Sequence, residues 1–308
     1  MSKVASFQAS VPPERAVAEE VEEVSVIIPS RHGDVARLVE SLASQTYRHF
    51  TVHVVSGLTP ASRARNVGIA QARGDFFLFV DDDAVLGHAG VLESLVAALR
   101  ADPTVGVVGS SKLLFPNATA FQRRVAREVP RWIYPAHKEA VKSSPPLDRY
   151  GFTGVTTTCC LVRREVVEMV GTFSEALVTG EDTEFFYRVH LAGYGFVIPA
   201  RCWAYHNPPA TVRSLLKKGF SYGIGHAHEA RRDLERGMAI VPLNRWYGRV
   251  FLLLSPFFFL PSLFVQYYFD PRREFRFGFF PLKALSTYAT LYGYAWGWRS
   301  FARSGRGE

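Results

Sequence analysis

Residues 74–83, Gly-Asp-Phe-Phe-Leu-Phe-Val-Asp-Asp-Asp, run an unbroken apolar stretch into three consecutive carboxylates. Phe76–Val80 offers no polar side, which predicts a strand covered on both faces, as in a buried parallel sheet. Asp81, Asp82 and Asp83 then emerge where the chain leaves the sheet, the edge at which open α/β sheets bind ligands. Three adjacent carboxylates repel one another unless solvent or a cation neutralises them. Their hard oxygen ligands suit Mg2+ or Mn2+ carrying substrate phosphates. Taken alone, the tripeptide fits a solvated acidic turn at least as well.

The flanking segments supply the sheet. Val24–Pro29 and Phe50–Val55 read as buried strands, and residues 34–46 repeat apolar side chains at helical spacing. A second helix is expected over 60–73, where Ala64, Val67, Gly68 and Ala72 are small enough to let it lie close to the sheet. A third, over 90–100, precedes a strand at Thr104–Gly109. This β-α-β-α-β-α-β order predicts an α/β fold with a mainly parallel central sheet. Residues 115–150 show no clean period and read as an irregular loop over the site. Beyond them, Gly154–Val162 is expected as a strand and Arg164–Val170 as a short helix. The cluster Gly180-Glu181-Asp182-Thr183-Glu184 then opens a helix with Phe185, Phe186 and Val189 on one face, and short strands lead to His206.

Formal charge is +8, but residues 201–308 carry 16 basic and 6 acidic groups against 20 and 22 before them. The excess interleaves with aromatic and aliphatic runs, which favours anionic lipid over nucleic acid as its partner. Thr211–Arg236 reads as a basic amphipathic helix interrupted near Gly219–Gly225. Val250–Phe269 is uncharged for 20 residues, the length of a membrane span, although Pro256 and Pro261 favour a kinked or re-entrant path. Phe277–Trp298 has the Trp and Tyr content of a membrane interface; a buried helix pair is the alternative. Cys159, Cys160 and Cys202 form neither a disulfide framework nor a zinc pattern, so they are expected as reduced core residues in a cytosolic compartment. Residues 1–22 lack an apolar leader and read as a disordered tail.

Six motifs in order, over residues 23–207, resemble the family 2 inverting glycosyltransferases of the GT-A fold. They are Val26-Ile27-Ile28-Pro29-Ser30, Ala64-Arg65-Asn66-Val67-Gly68, Asp81-Asp82-Asp83, Gly154 with Arg163-Arg164, Gly180-Glu181-Asp182, and Tyr205-His206. The resemblance implies transfer of a sugar from a nucleotide-diphosphate donor to an acceptor hydroxyl. It implies that Pro29, Ser30, Arg65, Asn66, Asp81 and Asp82 contact the nucleotide sugar, that Asp83 and His206 bind the metal, and that Gly154 and Glu181 lie on the acceptor side. Family members usually carry a base-reading Asp after the second strand; Val55-Ser56-Gly57 stands here, which leaves the base open.

Inverting transfer needs one base to take the acceptor proton, and a carboxylate in a dry cleft suits it. Asp182 is the candidate, because repulsion from Glu181 and Glu184 raises the pKa of at least one member of the cluster. Acidic residues that merely complement a helix dipole would look the same. The hydrophobic C-terminus (208–308) implies a membrane-associated enzyme with a cytosolic catalytic domain (23–207) and a lipid-linked or glycan acceptor. A nucleotidyltransferase or a non-catalytic scaffold subunit are the competing readings.

Overall fold

The computed structural model describes residues 3–8, 22–129, 136–143, 154–177, 179–232, 243, 246–267 and 275–304. They divide into two compact units, one of residues 1–115, 133–176 and 181–207, the other of residues 116–132, 177–180 and 208–308.

The first unit is built on an eight-stranded sheet: β1 (Lys3–Gln8), β2 (Val24–Ser30), β3 (Phe50–Ser56), β4 (Phe76–Val80), β6 (Val105–Gly109), β8 (Val141–Ser143), β9 (Cys159–Arg163) and β10 (Gly195–Ile198), in the order β1-β3-β2-β4-β9-β6-β10-β8. Strands β3, β2, β4, β6 and β10 share one direction, and β9 is wedged antiparallel between β4 and β6. Every residue of β2 and β4 is buried. The pleat explains how: Phe76, Leu78 and Val80 join one core with Leu38 and Leu95, while Phe77 and Phe79 join the opposite core with Phe173 and Phe185. Helices α1 (Ala36–Ala43), α2 (Ala61–Gln71) and α3 (Val91–Arg100), then α5 (Arg164–Val170) and α6 (Glu181–Leu191), complete the unit. Helix α2 lies against the sheet because Gly68 leaves room: a Cβ there would sit 2.5 Å from Ile27 Cγ2. A second, three-stranded sheet pairs β11 (Trp203–Tyr205) with β5 (Val85–Leu86) and β7 (Ser111–Leu113).

Three expectations are corrected in this unit. Lys3–Gln8 is not part of a structureless tail but pairs with β3 along its length; residues 9–21 of that tail lie outside the described residues. Residues 154–158 are a bend and turn, so the expected strand begins only at Cys159. Residues 115–150, read as irregular, contain β8 and the helix α4 (Ala120–Glu128), the latter in the second unit; residues 130–135 and 144–150 lie outside the description. The three cysteines are free and buried, and burial holds the Cys159 thiol up at about 12.

In the second unit, α7 (Val212–Arg232) runs without the interruption expected near Gly219–Gly225. Its glycines are packing sites: a Cβ on Gly223 would meet Thr290 O at 2.0 Å, and one on Gly293 would meet Phe220 O at 2.0 Å. Helix α9 (Pro281–Ser304) thus lies against α7 backbone to backbone, the packing that small residues four apart permit. Glu128, fully buried, accepts from Leu282 N at 2.8 Å and so caps α9, while Arg124 Nε pairs with it at 2.6 Å. Within Val250–Phe269, α8 (Trp246–Phe259) ends in a 3-10 turn, Leu260–Leu263, and a hairpin follows, of β12 (Val265–Tyr267) and β13 (Phe275–Phe277). Among the described residues, no helix is long and apolar enough to cross a membrane.

Candidate active site

The carboxylates of residues 81–83 do not act as a block. Ala84 N donates to Asp81 O at 3.0 Å, closing a turn after β4 that sends the three side chains to three different partners. Asp81 accepts from Arg65 Nη2 at 2.9 Å, Asp82 from Ser30 Oγ at 2.7 Å, and Asp83 faces His206 Nε2 at 3.3 Å. Burial pushes the Asp82 carboxyl above the usual range; the Ser30 hydroxyl opposes that, and Asp83 and Asp81 add to it.

His206 reaches Asp83 through sheet register. Tyr205 of β11 pairs with Val85 of β5, so the next residue along falls beside the turn that carries Asp83. His206 N donates to Leu113 O at 2.9 Å, and Phe115 stacks on Tyr205 at 5.5 Å, fixing the strand end. One ligand atom each from Asp81, Asp83 and His206 lies within 4.8 Å of the others. Among the described residues His206 Nδ1 is buried without a hydrogen-bond partner, so the imidazole directs its polar contact through Nε2. Two carboxylates and one imidazole within reach of one another are a donor set that could hold a divalent cation.

The second acidic cluster joins the first through one side chain. Arg65, on α2 and only 3% exposed, donates from Nη2 to Asp81 and from Nη1 to Glu181 at 2.8 Å. Burial opposes its charge, but Asp81, Glu181 and Asp182 outweigh that and hold the guanidinium ionised. Its plane lies over the Phe173 ring, 5.5 Å from the centroid. Asn66, the next residue, clamps the Phe173 backbone: Nδ2 donates to its carbonyl at 2.9 Å, and Oδ1 accepts from its N–H at 3.0 Å. Arg65 and Asn66, expected at the nucleotide, tie α2 to Asp81, to Glu181 at the start of α6 and to the Phe173 backbone. Arg163 and Arg164 likewise donate to main-chain carbonyls, of Val105 and Gly74.

Helix α6 opens with Glu181, Asp182 and Glu184 in its first turn. Burial raises the Glu181 carboxyl, repulsion from Asp182 adds to it, and Arg65 opposes both. Glu184 is drawn away from the site by Arg188, at 2.9 Å. Asp182 accepts from Thr183 N at 2.8 Å and, among the described residues, forms no ion pair. The cluster thus separates into one carboxylate held by Arg65, one held by Arg188, and one left for other chemistry.

Pro29 and Ser30 end β2, and Ser30 O accepts from Gly57 N at 3.2 Å. Gly154 is buried with φ +71, a conformation that suits glycine. Reading the sequence alone missed Phe173, whose ring and backbone seat Arg65 and Asn66; nothing local in the sequence distinguishes it from another core aromatic.

The family model of glycosyltransferase like family 2 matches residues 15–220. The chain is 31% identical over 247 residues to the O-antigen biosynthesis protein RfbC of Myxococcus xanthus, covering 66% of this chain and 19% of RfbC. It is 28% identical over 173 residues to the succinoglycan biosynthesis protein ExoM of Rhizobium meliloti, covering 54% of this chain and 51% of ExoM. The chain therefore spans about half or less of these relatives' lengths. Among solved structures, the mannosyltransferase PcManGT from Pyrobaculum calidifontis, in complex with GDP-Man and Mn2+, superposes with a TM-score of 0.53 at 16% identity, over 91% of this chain and 88% of that one. That likeness establishes the GT-A fold.

Proposed function

The chain belongs to glycosyltransferase like family 2, and from that premise we propose that it transfers a sugar from a nucleotide-diphosphate donor to an acceptor hydroxyl, with inversion at the anomeric carbon. One observation carries the reading. A single buried guanidinium, Arg65, holds Asp81 at 2.9 Å and Glu181 at 2.8 Å, so acidic clusters a hundred residues apart serve one site.

In this reading Pro29 and Ser30 present main-chain groups to the nucleoside, and Asp82, held by the Ser30 hydroxyl, stands on the same side. Asp81, Asp83 and His206 would hold Mn2+ or Mg2+, which supplies positive charge to the departing diphosphate. Asp182 takes the acceptor's hydroxyl proton as that oxygen bonds to the anomeric carbon, and the diphosphate leaves from the opposite face with the electrons of the broken C–O bond. Glu181, fixed by Arg65, sits beside this base as a positioning residue, with Gly154 assigned to the acceptor side. GDP-Man and Mn2+ in PcManGT support the donor class and the metal; O-antigen and succinoglycan biosynthesis among the relatives support a cell-envelope glycan or its lipid-linked precursor as acceptor.

The test is incubation with UDP-, GDP- and dTDP-sugars, Mn2+ and glycan or lipid-linked acceptors, following nucleotide release and the anomeric configuration of the product by NMR. An inverted linkage from one donor is expected. Retention of configuration, or no turnover of any donor, would overturn the proposal.

A further inference from the structure

The second unit carries an exposed apolar surface of its own. Along α8, Trp246 (76% exposed), Val250, Leu253 (76%) and Phe257 (70%) recur every three or four residues. That spacing puts them on one face of a helix, and Tyr247 and Leu254 widen it. The other face is already used: Phe251 and Leu252 pack against Ala227, Leu243 and Tyr294. One side of the helix is thus given to the core and one to the outside, where Arg249 stands in the first turn. The outward stripe continues past the helix through Leu260 and Phe264. The Phe264 ring lies 5.9 Å from that of Phe279, beside the 80% exposed Phe277 of β13. A run of exposed apolar side chains of this kind marks an interaction site.

Length, composition and charge choose the partner. The 14 residues of α8 extend only about 21 Å at the helical rise, short of the roughly 30 Å hydrocarbon core, and a turn and a hairpin follow. The surface can therefore lie in a bilayer interface but not cross it. Trp246 and Tyr247 at the start of α8 are the aromatic anchors that such an interface favours. Residues 208–308 carry 15 basic groups against 6 acidic ones, and Arg249 of α8 and Arg276 of β13 are exposed. Two copies of so basic a segment would repel each other, whereas an anionic headgroup layer complements it.

We infer that the exposed face of α8, with the Phe264, Phe277 and Phe279 surface at the hairpin, docks the protein in the plane of an anionic lipid bilayer. It inserts apolar side chains to the headgroup–acyl boundary without spanning it, the behaviour of a monotopic amphipathic element.

The test is flotation of the full chain with phosphatidylcholine vesicles, with and without phosphatidylglycerol. Wild type is expected to float with the anionic vesicles, and the triple variant Trp246→Ser, Leu253→Ser, Phe257→Ser to bind them about tenfold more weakly or worse. Met169→Ser, which removes a 63% exposed apolar side chain from the first unit, should bind like wild type, as should Asp182→Asn, which separates docking from the transfer reading. Vesicles with brominated acyl chains should quench tryptophan emission, and Trp246→Phe should lose much of that quenching, which keeps the inference testable if the triple variant misfolds. Equal binding of wild type and triple variant, no binding of wild type to either vesicle, unchanged quenching in Trp246→Phe, or a stable dimer that the triple variant dissociates would each overturn it.

Discussion

The two acidic clusters are built to opposite plans. Asp81–Asp83 leave a strand through a turn, end at three different partners, and include a carboxylate that is 68% exposed beside an imidazole. Glu181 and Asp182 open a helix, and there burial raises the Glu181 carboxyl while Arg65 opposes the shift. The first arrangement offers separated hard ligands to an ion; the second isolates one carboxylate next to a fixed neighbour. Arg65 belongs to both, and in the proposed mechanism the difference between the clusters is a division of labour across one guanidinium, electrophilic support on one side and proton transfer on the other.

That contrast breaks most sharply at Asp182. Asp182→Asn is expected to lower transfer by roughly a thousandfold while donor binding persists, as measured by product formation and nucleotide titration. A comparable loss of binding would place Asp182 with the nucleotide instead. Next in size is Arg65→Met, which leaves Asp81 and Glu181 without their shared cation. Denaturant unfolding should show a loss of about 3 kcal/mol, and an unchanged midpoint would mean that the two clusters do not depend on each other. Asp83→Ala should weaken nucleotide binding by tens of fold in Mn2+ and not at all in EDTA, and His206→Gln by about tenfold with the same metal dependence.

The smallest effect sharpens the comparison through pH. Because the Glu181 carboxyl is raised in the fold, its contribution to stability is fully present below the ordinary carboxylate range and is lost as pH rises through its raised value. Glu181→Gln keeps the neutral shape. It should match wild type near pH 3 and exceed it near pH 8, by under about 1 kcal/mol because the attraction to Arg65 goes as well. A variant that matches wild type near pH 3 but is less stable near pH 8 would show the ion pair outweighing burial.

Much of this was legible in the sequence, where local pattern fixes local structure. The fully buried β2 and β4, the close-packed α2 with its Gly68, and the positions of both acidic clusters follow from periodicity and small residues. Pairing between distant segments did not follow. Strand β9 inserts antiparallel between β4 and β6, a choice made by core packing that no window around residues 159–163 contains. Helix α4 was missed because its apolar face is thin, although the capping box of Thr119 and Gln122 was there to be read. Glycines of α7 looked like breaks and proved to be contacts, since a helical glycine costs little where a neighbouring backbone fills its space. At the site, residue types were visible and partners were not: Arg65 and Asn66 read as ligand contacts, and only the fold shows them bound to Asp81, Glu181 and Phe173.

If residues 81–83 and His206 form a metal-dependent nucleotide site, isothermal titration with UDP, GDP and dTDP, each with Mn2+ and with EDTA, will show it. Binding of one nucleotide in Mn2+ that disappears in EDTA, and in Asp83→Ala, is the result this structure predicts. Binding of equal strength with and without the ion, or none to any nucleotide, would contradict it.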